Sequence, residues 1–213
     1  MLIAIDGPAA SGKGTIARQI AKHYGFAYLD TGLLYRAVAR DVKKIGGSLE
    51  QESDAVKAAL SLNLDTLSDP TLRLTDIATA ASIIGSHSEL RKLLSETQNR
   101  FVEQHINTGA VLDGRDIGTV VCPNADVKLY ITADINIRAK RRYLELIRNG
   151  ENIKLNDVLT YMQERDDRDY NRKQSPLHPA QYALLLDTSN LGIVKSFEAA
   201  NELIKRKISQ QNA

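Results

Sequence analysis

The segment Gly7-Pro8-Ala9-Ala10-Ser11-Gly12-Lys13 fits the pattern G-x-x-x-x-G-K and lies between the apolar run Leu2 to Ile5 and a stretch with Ile16, Ile20 and Tyr24 at helical spacing. Strand, glycine turn and helix in that order make a phosphate-binding loop. The glycines let the backbone curl close to an anion, the amides at the helix start point at it, and Lys13 supplies charge to β- and γ-phosphates. In its strict form the pattern ends in Ser or Thr, whereas here Gly14 follows the lysine and the hydroxyl comes at Thr15. Thr15 is therefore expected to bond a phosphate oxygen. Mg²⁺ is expected to be held mainly by phosphate oxygens and water, which suits its reluctance to dehydrate.

A strand that feeds a helix through such a loop belongs to a β-α-β arrangement, and the rest of the chain repeats the theme. Phe26 to Leu29, Ala110 to Leu112, Val127 to Ile131 and Ala183 to Leu186 are further short apolar runs, and Thr31-Gly32 opens a helix with Leu34, Val38 and Val42 on one face. These runs are nearly continuous in apolar residues rather than alternating. That predicts an α/β fold, a five-stranded parallel sheet with helices on both faces, and ligands beyond the strands' carboxyl ends. With 213 residues, one domain with an insertion is the natural size. The insertion spans about residues 48–105, where Leu62 to Leu67 and Thr71 to Leu74 read as two short strands between helices. Glu164 to Pro179 is crowded with Arg and Asp and almost free of apolar residues, so it reads as a solvated, mobile element.

Hydrophobic residues at 43% and charged residues at 25% exclude disorder and coiled coil. The net charge of +2 is too small for non-specific nucleic-acid binding, but basic residues cluster between Arg138 and Lys173, which fits a small-anion site. Cys122 stands alone, so no internal disulfide forms and a reducing compartment is expected. No apolar run approaches the roughly 18 residues of a membrane span, so a cytoplasmic protein is expected. His23, His87, His105 and His178 have no metal-ligand spacing.

Three further segments accompany the loop: Leu29-Asp30-Thr31-Gly32-Leu33-Leu34-Tyr35-Arg36, Asp113-Gly114-Arg115-Asp116-Ile117-Gly118-Thr119-Val120-Val121, and Glu164-Arg165-Asp166-Asp167-Arg168-Asp169-Tyr170-Asn171-Arg172. With Gly12-Lys13-Gly14-Thr15, their order and spacing resemble bacterial cytidylate kinase, of the nucleoside monophosphate kinase group of P-loop kinases, from Ile5 to about Thr188. The resemblance implies a single P-loop kinase domain over residues 1–213, with residues 48–105 as the segment that binds the nucleoside monophosphate and residues 164–179 as a lid. It implies transfer of the γ-phosphate of ATP to CMP or dCMP in pyrimidine nucleotide metabolism, with Mg²⁺ accompanying ATP. A monomer without nucleic-acid or membrane partners is expected. ATP would be bound by Gly7, Pro8, Ala9, Ala10, Ser11, Gly12, Lys13, Gly14 and Thr15, with Arg141 near its base. CMP would be bound by Thr31, Tyr35, Arg36, Ser82, Arg91, Arg115, Asp116, Arg165, Asp169 and Arg172. Lys13, Arg115, Arg165 and Arg172 would be catalytic. The sequence departs from the family pattern at Cys122, where an aromatic residue is usual, and at Tyr182, which replaces an acidic one; packing changes are expected at both.

Those residue types suit the chemistry. Cytosine offers an amine donor beside acceptors on the ring nitrogen and carbonyl, so Asp116 with Ser82 can accept from the amine while Arg91 donates. Uracil places a carbonyl where cytosine has its amine, leaving Asp116 without a partner and disfavouring UMP. Arg36, Arg115 and Arg172 suit a phosphate clamp because a planar guanidinium grips phosphate oxygens two at a time, with Thr31 adding a hydroxyl. Asp30 reads as a structural turn residue, Arg168 as a surface one, and Asp113 as a metal holder acting through water. Two rivals stay open at this point: a kinase for UMP, AMP or a small metabolite, and an RNA-binding regulator that uses the loop as a sensor.

Overall fold

A computed structural model describes residues 1–211. Strand β1 (Leu2–Asp6) lies at the centre of a five-stranded sheet ordered β2-β3-β1-β4-β5, with β2 (Ala27–Asp30), β3 (Ala110–Gly114), β4 (Val127–Thr132) and β5 (Leu184–Asp187) all parallel to their neighbours. Side chains alternate across it. Ile3 and Ile5 point into a core shared with Ile16 and Ile20 of α1 (Lys13–Tyr24) and Ala200 and Ile204 of α8 (Ile193–Gln211). Ala4 points the other way, into a cluster with Leu112, Ile117 and Cys122 that Phe101 and Val102 of α5 (Ser88–Gln104) cover. Both faces are therefore buried, which is why these strands are apolar along their length.

The strands run further at their C-terminal ends than the apolar runs suggested, closing on acids or small residues. The register sets Asp30 beside Asp113, and Asp6 beside Gly114, so one edge of the sheet delivers several polar groups to the same place. Helix α2 (Thr31–Lys44) starts directly at that edge.

The insertion builds a core of its own. Leu34 and Val38 of α2 pack with Ala55 of α3 (Glu52–Leu60), Ala80 and Ile84 of α4 (Thr75–Ile84), and Leu90 and Leu94 of α5. The two short strands expected at Leu62 to Leu67 and Thr71 to Leu74 are absent. These stretches form 3₁₀ turns at Leu64–Ser68 and Pro70–Arg73. Asn63 and Asp69 each accept a hydrogen bond from the amide two residues on, and Pro70 sets the second turn, so local capping wins where no partner strand is at hand.

A second correction concerns Glu164 to Pro179. Its first half is the end of helix α7 (Leu155–Asn171), which pairs with α6 (Ile135–Arg148), and Asp166 and Asp169 are buried rather than solvated. Their charges are neutralised across space by Arg138 and Arg115, a partnership that composition cannot reveal. Cys122 is packed into the core as expected, but Tyr182 is 81% exposed, so no packing change accompanies that residue.

Candidate active site

The loop from Gly7 to Gly12 turns between β1 and α1. Gly7 has φ 152°, and a Cβ there would sit 2.0 Å from the carbonyl oxygen of Ile131, so no other residue fits. Helix α1 has no side-chain cap, so the amides of Lys13 and Gly14 at its start are not taken by a capping side chain and suit a phosphate. The loop's carbonyls are held away from the anion: Arg138 donates to Ala9 O at 3.3 Å and Thr188 to Ser11 O at 2.9 Å. Lys13 is half-buried, and its ammonium makes a long 3.5 Å hydrogen bond to Pro8 O. Burial first, then Arg115, lowers the Lys13 pKa, while burial and Asp30 raise that of Asp113. An anion placed on Lys13 would restore its charge.

A cleft of about 310 Å³ opens over the loop. Ala9, Ala10, Gly12, Lys13, Gly14 and Thr15 line it, whereas Gly7, Pro8 and Ser11 do not. Arg141 does not reach it either: its guanidinium donates to Thr188 Oγ1 at 3.0 Å and Thr188 O at 2.6 Å, one step removed from the loop.

The expected acceptor residues line the same cleft: Thr31, Tyr35, Arg36, Ser82, Arg91, Arg115, Asp116, Arg165, Asp169 and Arg172. Arg91 forms a buried ion pair with Asp116, donates to Gly85 O at 2.9 Å, and lies 5.6 Å over the Tyr35 ring. Arg115 Nε donates to Asp169 Oδ2 at 2.8 Å, and Arg165 approaches the same carboxylate at 4.0 Å. Burial alone would raise the Asp169 pKa, but Arg115 and Arg165 outweigh it and hold the group below its usual value. Arg165 Nε and Arg172 Nη2 are buried without a hydrogen bond, so donors stand ready for an anion. Burial, with Arg165 and Arg142 nearby, brings the Arg36 pKa down to about 10. Such crowding of guanidinium groups is what a phosphate would relieve.

Gly114 must be glycine, since a Cβ there would meet Thr31 Oγ1 at 2.6 Å and Ile117 Cδ1 at 2.7 Å. That close approach seats Arg115 and Asp116 at the end of β3. Asp30 and Asp113 lie side by side on the floor of the cleft, with Tyr28 OH donating to Asp113 Oδ1 at 2.7 Å. Among the described residues no group of three or more His, Cys, Asp or Glu could enclose a metal. Two hard carboxylate oxygen donors fit an Mg²⁺ that keeps its water and takes phosphate oxygens.

Sequence reasoning missed Arg18, Arg73, Arg142 and Glu145, all of which line the cleft. For Arg142 a partial signal existed: it stands four residues after Arg138, so helical spacing puts both on one face of α6, and both are buried; the same spacing also admits Arg141, three residues on, which bonds Thr188 instead. Asp30, read as a turn residue, also reaches the cleft, while Arg168 does not line it and instead lies 3.4 Å from Ser82 Oγ. Among the described residues no helix is long and apolar enough to cross a membrane.

Comparison with known proteins agrees with this geometry. The family model described as cytidylate kinase matches residues 3–206. A cytidylate kinase of Bartonella bacilliformis is 49% identical over 212 residues, covering 100% of this chain and 98% of its own. One from Xanthobacter autotrophicus is 48% identical over 207 residues, covering 97% of this chain and 98% of its own. A solved structure from Thermus thermophilus matches with a TM-score of 0.52 at 17% identity, covering 97% of each chain, a likeness of fold alone. With a full-length family match and relatives near half identity, the chain belongs to the cytidylate kinase family.

Proposed function

We propose that the protein transfers the γ-phosphate of ATP to CMP or dCMP, giving ADP and CDP or dCDP. The observation that carries this reading is that one cleft is lined both by the phosphate loop and by the buried Asp116–Arg91 pair. Asp116 accepts from the cytosine amine, and Arg91 donates to the ring nitrogen or carbonyl. Arg36, Arg115 and Arg172 hold the acceptor phosphate, while Asp169 and Arg165 face the sugar hydroxyls.

An acceptor phosphate oxygen attacks the γ-phosphorus in line, and the bond from that phosphorus to the leaving ADP oxygen breaks. The acceptor phosphate is already ionised near neutral pH, so no general base is required and no covalent enzyme intermediate forms. Catalysis reduces to positioning and to stabilising charge on the transferring group, the work of Lys13, Arg115, Arg165 and Arg172. Mg²⁺, held through water by Asp113 and Asp30, would neutralise charge on the phosphates of ATP. Residues 48–105 bring Ser82 and Arg91 over the acceptor, and residues 164–179 serve as the lid, its movement falling after Asn171 because the preceding helix is tied to Arg138. One chain supplies every residue named, so a monomer suffices.

The test is the initial rate of ADP formation with CMP, dCMP, UMP and AMP. We expect kcat/KM for CMP and dCMP to exceed that for UMP by about 10²-fold or more, since uracil brings a carbonyl where the site bonds an amine, and we expect AMP, whose amine sits on a larger ring, to be turned over more slowly than CMP. A preference for AMP or UMP overturns the reading.

A further inference from the structure

Asp6 is the last residue of β1 and the residue before Gly7, so its backbone leads directly into the phosphate loop. Its side chain points elsewhere. Oδ1 accepts from the amide of Ile117 at 2.8 Å and Oδ2 from that of Gly118 at 2.7 Å. Both bonds come from backbone amides rather than from a cationic side chain. The residue is 3% exposed, and burial raises its pKa to about 6. A buried carboxylate satisfied only by amides is an expensive way to hold a turn, since desolvation opposes the charged form. Stability alone does not account for it.

The turn it holds is the one that presents Asp116. Ile117 and Gly118 open the wide π-helical turn Ile117–Val121, and the amides of Val120 and Val121 bond back to Asp116 O at 2.9 and 3.2 Å. Fixing the two opening amides fixes the backbone on which the Asp116 and Arg115 side chains are hung. There is little slack: a Cβ on Gly118 would lie 3.4 Å from Asp6 Oδ2 and 3.2 Å from Ala180 Cβ. One residue therefore ties the start of the loop that grips ATP to the turn that faces the acceptor base.

We propose that Asp6 is a positioning residue that sets Asp116 and Arg115 against the phosphate loop and so governs selection of the cytosine nucleotide. This rests on the function proposed above. Asp6→Asn keeps one acceptor but turns an NH₂ donor towards an amide donor, so one of the two bonds is replaced by a repulsive contact.

The experiment is a double-mutant cycle with Asp6→Asn, Asp116→Ala and the double variant, reading kcat/KM for CMP and UMP, KM for ATP, and Tm. We expect Asp6→Asn to lower the CMP to UMP ratio about 10-fold while KM for ATP changes less than about 2-fold, the step from one lost bond. In the Asp116→Ala background the same change is expected to leave the ratio where it was. If Asp6→Asn does not fold, Gly118→Ala, whose added Cβ would press on Ala180 Cβ at 3.2 Å and so displace the same turn, carries the test with the same expected fall in the ratio. A lowered Tm with an unchanged ratio, or an equal fall in both backgrounds, overturns the proposal. If the wild-type enzyme itself shows no preference for CMP, the functional reading fails and this proposal with it; a wild-type preference with an unchanged ratio in the variants overturns this proposal alone.

Discussion

Two carboxylates close to one another, Asp6 and Asp116, do opposite work with the same chemical group. Asp116 is paired with the Arg91 guanidinium, while Asp6 is satisfied by two amides and carries a pKa raised from 3.8 to about 6 by burial. The sign of the consequence follows from linkage. The fold binds the Asp6 proton more tightly than the unfolded chain does, so this residue's contribution to stability is full below about pH 4 and is lost as pH rises through about 6. Two pKa units correspond to a loss on the order of 3 kcal/mol. Asparagine does not titrate, so the stability of wild type relative to Asp6→Asn should fall by about that amount between pH 4 and pH 7, read from urea unfolding at each pH. A difference independent of pH would show that Asp6 keeps an ordinary pKa. At this scale the sequence was legible where a residue's place in the cleft is local or carried by a motif: Lys13 by its position after the glycines, Asp116 and Arg91 by the family resemblance. Asp6 was opaque because the amides it accepts from, those of Ile117 and Gly118, lie far along the chain and no spacing rule links them to it.

One side chain of α6, Arg138, bonds both helix α7 and the phosphate loop. Arg138 Nη2 donates to Asp166 Oδ2 at 2.7 Å, Nη1 to Ala9 O at 3.3 Å, and Nε to Ala133 O at 2.8 Å. Both charges are buried, so removing one leaves the other without compensation. Arg138→Met is expected to destabilise the protein by about 3–5 kcal/mol, with much of that recovered in Arg138→Met/Asp166→Leu, since replacing a whole buried pair by apolar groups is often neutral. Unfolding free energies of the two variants check it, and equal losses in both would show that the pair is not the source. The same contact explains why α7 was misread. Strands buried on both faces announce themselves as apolar runs, but a helix that buries acids against arginines of other elements looks like solvated chain when only its composition is seen. The 3₁₀ turns were missed for the converse reason: Leu64 and Leu72 suggested strands, while Asn63, Asp69 and Pro70 held the local signal that prevailed.

At the scale of the molecule, the parallel sheet delivers the ends of β1, β2 and β3 to one edge, so the phosphate loop and the turn that carries Asp116 share a rigid base. The insertion packs around a separate cluster built on α2 to α5, which lets it bring Ser82 and Arg91 to that edge without disturbing the central core. This division was legible in outline, because the β-α rhythm breaks at about residue 48 and resumes after residue 105. The face that each arginine presents was not, since it depends on how the helices pack. The account as a whole turns on a carboxylate that requires an amino group on the acceptor base. Its most direct test is the ratio of kcat/KM for CMP to that for UMP in wild type and in Asp116→Ala. Loss of a buried, charge-assisted hydrogen bond predicts a fall of about 10- to 100-fold in that ratio; a folded variant that keeps the wild-type ratio contradicts it.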